Sequence, residues 1–388
     1  MISLGRTRPG THAAAMGVAA FAFMLAIWHA QPTGFNNYAF LADAWKHGRN
    51  WIDFPGDFID AMPYHGRAYV IEGPVPALLM FPIVMVFGMS ANQTLLANAI
   101  GAFGVYAAYR LCDRFGLGGL ESAAATLFAF FGTSFFVCAT NGSVWFLGHA
   151  AAFTFSLLAL CEVFGRRRAW LVAVWGLCAT FSRYPMVVAL PLYLLLLVER
   201  DWRRGVFESF VAPVIPAAIA SALYNLNRWG TLYDGGFQMF YRIMDAQSKA
   251  RPDTFSLAYV PSQLKMFFGT PPRVLASFPW VVPPYFGFSL PWTSGPFAYA
   301  IFAGLGFEAI VLWLATIATA LPALLYYGSG DGQFGVRHAL DFEPFLFVLL
   351  VMALRARPSR LVTYALFAFA AAGVYGGVVW LLWPQLTL

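Results

Sequence analysis

"NNYAFLADAWKHGRNWIDFPGDFIDAMPYHGRAYVIEGPVP" (Asn36–Pro76) crowds acids, bases and aromatics into one stretch of a chain that is otherwise strongly apolar. It follows an apolar run of about residues 11–30 and leads into a second run, Pro74 to Met89. Of 388 residues, 60% are hydrophobic and only 11% charged. A soluble domain carries about a quarter charged residues, so this chain could not clothe a soluble surface. Apolar runs long enough to cross about 30 Å of hydrocarbon recur throughout. The expected class is an all-α, polytopic membrane protein, and a soluble enzyme is excluded.

Arginine clusters thread the chain. "GRRRAW" (Arg166, Arg167, Arg168), "ERDWRRG" (Arg200, Arg203, Arg204) and "RARPSR" (Arg355, Arg357, Arg360) belong on the cytoplasmic side, with Arg6 and Arg8. Helices are expected at about 11–30, 93–111, 120–139, 147–164, 169–181, 186–198, 209–226, 287–304, 308–327, 342–355 and 359–383. That makes a single transmembrane domain of about eleven spans over residues 1–388, with the N-terminus cytoplasmic. The first run is long for a signal peptide and lacks a small-x-small cleavage site, so it reads as a retained helix.

Residues 32–92 then form a first outer loop, and residues 226–286 a second, long one. Within the first, Pro74 to Met89 must enter and leave on one face. It is short and has Pro74, Pro76 and Pro82 in or beside it, so a re-entrant or juxtamembrane segment is expected, the alternative being that this run crosses and another short segment does not. A second interfacial helix is expected at about Phe255 to Phe268. The four cysteines (Cys112, Cys138, Cys161, Cys178) follow no ligand or disulfide spacing. The net charge of +6 reflects arginines that hold cytoplasmic loops and does not point to nucleic acid.

This threading gathers most unusual polar residues on the outer face, and charges at membrane depth usually mark a substrate path. In "YAFLADAWKHG", Phe40, Leu41, Ala44 and Trp45 share one helical stripe, and Asp43, Lys46 and His47 share the other. Asp43 can reach His47 at i,i+4. Asp53, Asp57, Asp60 and Glu72 follow, so the loop offers a general base, a divalent-cation site or both, although no metal motif is present. Arg183 in "FSRYP" is a lone charge between two apolar runs, and its planar fork suits a phosphate. Snorkelling to ordinary headgroups is the plainer reading of the same residue. Arg337 and His338 form a basic pair ahead of Asp341 and Glu343 at a helix start. The second outer loop, rich in aromatics, glycines and amides, resembles sugar-binding surfaces.

The pieces together resemble the GT-C superfamily of membrane glycosyltransferases, especially bacterial relatives of protein mannosyltransferases (glycosyltransferase family 39-like). The resemblance rests on "YAFLADAWKHGR", "YHGRAYVIEGPVPALLMFP", "GLCATFSRYPMVVALPLYLLLL", "NRWGTLYDGGF" and "QFGVRHALDFEPFLFVLL", in that order along most of the chain. It implies inverting transfer of a sugar from a polyprenyl-phosphate donor to a lipid, glycan or protein acceptor. The site would face the periplasm of a bacterial inner membrane. The donor phosphate would lie near Arg183 and Arg337. Relatives usually carry an acid pair just before the loop helix, where this chain has Asn36 and Asn37. The base role then passes to Asp43, Asp60 or Asp57. Substrate-binding candidates are Asn36, Asn37, His47, Arg49, Tyr64, Arg67, Glu72, Arg183, Arg228, Tyr233, Gln333, Arg337 and His338. A transporter or flippase for a lipid-linked substrate is an alternative, but the two halves show no repeat. A non-catalytic assembly subunit is the third reading, and the missing acid pair is its support.

Overall fold

The computed structural model describes residues 9–53, 60–198, 204–237, 239–240, 254–330 and 332–387. The chain is a helical bundle with two small β-hairpins. The first half comprises α1 (Pro9–Trp28), α2 (Asn37–Lys46), α3 (Val75–Phe87), α4 (Gln93–Phe115), α5 (Gly119–Phe131), α6 (Phe135–Asn141) and α7 (Val144–Val163). The second comprises α8 (Ala169–Thr180), α9 (Leu190–Val198), α10 (Arg204–Trp229), α11 (Val260–Gly269), α12 (Phe307–Leu325), α13 (Glu343–Ala356) and α14 (Arg360–Leu382). Each of the eleven expected apolar runs is helical over at least part of its length. Among the described residues, six helices are long and apolar enough to cross a membrane, or seven if the bent pair α5–α6 (57°) is one span. The expected count of eleven crossings is not established by that measure.

Helix α7 is the hub, with nearly every side chain buried. It packs against α4 on one side and α8 on the other, while α4 also holds α1. Association inside a bilayer gains little from hydrophobicity, because lipid is as apolar as leucine, so close backbone approach decides the packing. The small residues Gly148, Ala150, Ala151 and Ala152 give α7 that access. Helix α10 is the opposite case, with only 6% of its most apolar window buried, which leaves Ile215, Ile219 and Leu223 to lipid.

The segment expected as the first outer loop, residues 32–92, is built over the ends of these helices. Its helix α2 is packed on α3, with Tyr38, Leu41, Ala42 and Ala44 inside. Helix α3 has 13 residues, a length of about 20 Å, which is too short to cross the hydrocarbon. The loop also holds an unexpected hairpin, β1 (Ala61–Tyr64) against β2 (Arg67–Val70). His65 and Gly66 take positive φ (49° and 72°), which turns the chain tightly between the strands. Tyr69 of the hairpin packs on Trp229 at the end of α10, ring centroids 4.9 Å apart.

Candidate active site

Gln93, the first residue of α4, fixes the loop. Its Oε1 accepts from the backbone N–H of Tyr38 (3.2 Å) and Ala39 (3.3 Å) in the first turn of α2, where Ala39 N–H is shared with the Asn36 carbonyl. Its Nε2 donates to the carbonyls of Phe35 (3.2 Å) and Gly142 (2.8 Å). One buried amide thus ties α2, α4 and the start of α7 together. At the other end of the loop, Gly73 lies against the turn that follows α8, because a Cβ there would sit 2.2 Å from the Phe181 carbonyl oxygen. Val75 N–H donates to that same carbonyl at 3.0 Å. Glu72 is therefore held beside the turn that presents Arg183.

Arg183 forks onto Asp341, with Nε at 3.3 Å from Oδ1 and Nη2 at 2.9 Å from Oδ2. Nη2 also donates to His338 Nδ1 at 3.2 Å. His149, one turn into α7, places Nδ1 2.7 Å from the Trp145 carbonyl, so that nitrogen carries the proton. Its ring stands 5.2 Å from that of His338. Trp145 Nε1 donates to Asp60 Oδ2 at 2.9 Å, while Asn37 Nδ2 donates to the Asp60 backbone carbonyl at 3.2 Å. Gly148 makes room for this convergence, since a Cβ would stand 3.0 Å from the Tyr38 hydroxyl and 3.9 Å from Arg183 Cδ.

The electrostatics follow from burial. Burial pushes the Asp60 carboxyl above its ordinary range, against the opposing pull of Trp145 and Arg337. Burial, and next the charge of Asp60, push Glu72 up to about 8, so Glu72 is largely protonated at neutral pH. His338 is held well below the usual imidazole range by burial and then by Arg183 and Arg337, so it is neutral. Arg183 pays the opposite way: burial works against its charge, but Asp341 more than restores it. The cleft therefore contains two carboxyls, both pushed up by burial, among guanidinium charges. Beside it lies a cavity of about 420 Å³ lined by Thr33, Phe35, Asn141, Trp145, Phe146 and Tyr285, among others.

The sequence candidates divide between this cleft and its surroundings. Asp60, Glu72, Asn37, Arg183, Arg337 and His338 come together, with the Arg337 guanidinium 5.5 Å from the Phe146 ring centre. Arg228 joins from α10, buried between Tyr224 and Trp229 and donating to the Val70 carbonyl; its charge reaches Glu72. Asp43 instead faces His47, 3.5 Å away on the more exposed side of α2. Arg49 pairs with Asp53 at 3.2 Å, and Arg67 covers the Trp51 ring at 3.7 Å. Asn36 precedes α2 without a side-chain cap bond. Tyr64 packs on Tyr69 and Trp229, and Tyr233 is 66% exposed. Gln333 braces its own loop, donating to the carbonyls of Phe286 and Ser329, both at 2.8 Å. Asp57 lies outside the described residues. Trp145, Tyr38 and Gln93 escaped the sequence reading, because a buried aromatic or amide carries no signal that separates a partner from packing.

His149, His338 and Asp341 lie within 4.8 Å of one another and have the residue types of a metal site. Their chemistry does not fit a divalent cation. Both Asp341 oxygens and His338 Nδ1 already accept from Arg183, and a cation would meet the charges of Arg183 and Arg337.

Two solved structures share this architecture. ArnT from Cupriavidus metallidurans, bound to undecaprenyl phosphate, matches 92% of this chain and 62% of its own, with a TM-score of 0.55 and 15% identity. The Archaeoglobus fulgidus oligosaccharyltransferase in its apo form matches 95% of this chain and 55% of its own, with a TM-score of 0.50 and 15% identity. The chain shares the fold of these two proteins. The present chain spans only about three-fifths of ArnT and just over half of the oligosaccharyltransferase. No family model and no curated protein matches the sequence. The likeness is one of backbone, and the segment between α1 and α4 carries the half-buried acids Asp60 and Glu72 here.

Proposed function

We propose that this chain transfers a sugar from a polyprenyl-phosphate donor to an acceptor hydroxyl or amide at the outer cleft. The observation that carries the reading is the meeting of Asp60 and Glu72 with Arg183, Arg228 and Arg337 at one end of a GT-C bundle. ArnT, of the same fold, is known with undecaprenyl phosphate bound.

In the proposed step, the acceptor oxygen or nitrogen forms a bond to the sugar's anomeric carbon as the bond to the donor phosphate breaks, with inversion. The acceptor proton passes to Asp60, and the departing phosphate keeps the electron pair. Asp60 suits the base role because burial raises its basicity while Trp145 fixes one oxygen, leaving the other to the acceptor. Glu72, protonated at neutral pH, donates a hydrogen bond to a sugar hydroxyl. Arg337 and Arg228 neutralise the leaving phosphate, and Arg183, braced by Asp341, sets the local field. The aromatic walls of the adjoining cavity, Trp145, Phe146 and Tyr285 among them, suit a sugar face.

The test reconstitutes the full chain in proteoliposomes with undecaprenyl-phosphate sugars and scores transfer by mass spectrometry of lipid, glycan and peptide acceptors. Transfer that Asp60→Asn removes supports the reading. Flux of the lipid-linked sugar across the membrane with no transfer product would replace it with a transporter.

A further inference from the structure

A second basic pocket, of about 640 Å³, lies at the opposite end of the bundle from the outer cleft. Helix α7 begins beside Trp145 and His149 and ends at Val163, which lines this pocket. Its 20 residues separate the two sites by about 30 Å. Helix α13 does the same, running from Glu343, two residues after Asp341, to Arg355 and Ala356 in the pocket wall.

Three guanidiniums, Arg114, Arg167 and Arg355, line the pocket with one carboxylate, Glu308. Two of the three have backbone duties that fix their position. Arg167 donates to the carbonyls of Val163 (3.2 Å), Leu196 (2.9 Å) and Leu197 (2.7 Å). Arg355 donates to the Phe115 carbonyl. Arg114 is different, because its Nη1 is buried and has no hydrogen-bond partner among the described residues. The backbone makes space for it: a Cβ at Gly165 would lie 1.6 Å from that nitrogen. Nη1 is closed off against Gly165, and the rest of the Arg114 side chain lines the pocket beside Arg167 and Arg355, so three guanidiniums meet there with one carboxylate. The nearby Glu162 is taken, since Arg168 grips both its oxygens at 2.7 and 3.0 Å.

We infer that this pocket is a phosphate-binding site on the opposite face from the sugar-transfer cleft. The chemistry fits a phosphate ester, whose oxygens accept from several forked donors at once. The walls are helix ends, and the loops there carry the arginines expected on the cytoplasmic side. The source of the phosphate is therefore an anionic phospholipid of that leaflet or a soluble phosphate. The site is independent of the transfer reaction, and it anchors the far ends of the two helices that carry the cleft.

The experiment uses the purified full chain with phosphatidylglycerol, phosphatidylcholine and inorganic phosphate as separate probes, and reads retention by native mass spectrometry. Phosphatidylglycerol is retained in preference to phosphatidylcholine, and the Arg114→Gln, Arg355→Gln double variant reduces this by about tenfold. Arg360→Gln, an equally basic change at an exposed position on the same end, leaves retention within about twofold of the parent. If the double variant is not folded, Arg114→Gln alone decides, because that side chain's Nη1 holds no protein partner. Binding of inorganic phosphate alone, lost in the same variants, assigns the site to a soluble phosphate. Equal losses in Arg360→Gln, or no loss in the Arg114 variants, overturn the inference.

Discussion

Arg183 and Asp341 are 158 positions apart and meet through two parallel hydrogen bonds, 3.3 and 2.9 Å long. The pair joins the turn after α8 to the start of α13, and it sits where the first outer loop closes over α7. Asp341 is 1% exposed and Arg183's side chain 23%, so neither charge is fully hydrated. A bidentate guanidinium–carboxylate pair fixes direction as well as distance. It leaves the Arg183 guanidinium with a defined face toward His338 and the cleft.

Breaking that pair from one side is expected to be worse than removing it whole. Asp341→Asn leaves a buried arginine uncompensated, and the cost is about 3 kcal/mol. Adding Arg183→Met should recover part of the loss, because the unpaired charge is then gone. Apparent melting temperatures in detergent of both single variants and the double variant check this. A double variant no more stable than Asp341→Asn would mean the pair is not what holds these elements.

Gln93 is expected to resist even a nearly isosteric change. Its amide donates to two carbonyls and accepts from two N–H groups. Gln93→Glu keeps the acceptor but sets a carboxylate against the Phe35 and Gly142 carbonyls, so it should destabilise more than Gln93→Ala. The alanine variant removes a partner from the Tyr38 N–H and the Gly142 carbonyl, while the Ala39 N–H keeps Asn36 and the Phe35 carbonyl keeps Val144, and it should lose about 2 kcal/mol. Thermal unfolding, with proteolysis of the first outer loop as a local readout, ranks the two.

Stability should fall with rising pH because of Glu72. An acid whose folded pKa is raised binds its proton more tightly when folded, so its contribution is greatest at low pH. That contribution is lost as pH rises from about 4.5 through about 8, the window set by the raised Glu72 value. Asp60, also raised, acts in the same direction. Glu72→Gln should flatten the decline in melting temperature between pH 5 and 8. An equally steep decline in that variant would remove Glu72 as its source.

The broad architecture was legible in the sequence for a physical reason. A membrane span advertises itself by length and apolarity, and the break at "FSRYP" by a lone arginine and a proline between two apolar runs. Helix α3 was legible as a short apolar helix bounded by a proline-rich start. The hairpin of residues 61–70 was not, since two four-residue strands carry too little alternation, and the two-residue His65–Gly66 turn is a weak cue. Partners were the least legible feature. Nothing local in Trp145 announces Asp60, 85 positions away, and nothing in Gln93 announces Tyr38. Such pairs are created by packing, so they enter only with the fold.

The choice between Asp43 and Asp60 as base gives the sharpest prediction. Both are loop acids at similar depth in the sequence, and Asp43 was the first expectation from its helix position. In the fold Asp43 faces His47 at 3.5 Å on the polar side of α2, where its own side chain is 24% exposed. Asp60 accepts from Trp145, feels Arg337 and lies beside protonated Glu72. Asp60→Asn keeps the Trp145 hydrogen bond through its amide oxygen but cannot take a proton, so transfer should drop on the order of a hundredfold or more. Asp43→Asn should stay within about threefold of the parent rate, because Asp43 pairs with His47 and has no recorded contact with Asp60, Glu72 or the arginines of the cleft. Turnover of an undecaprenyl-phosphate sugar by each variant, with binding of the donor measured separately, decides between them. Loss of turnover in Asp43→Asn with Asp60→Asn intact would return the base role to α2.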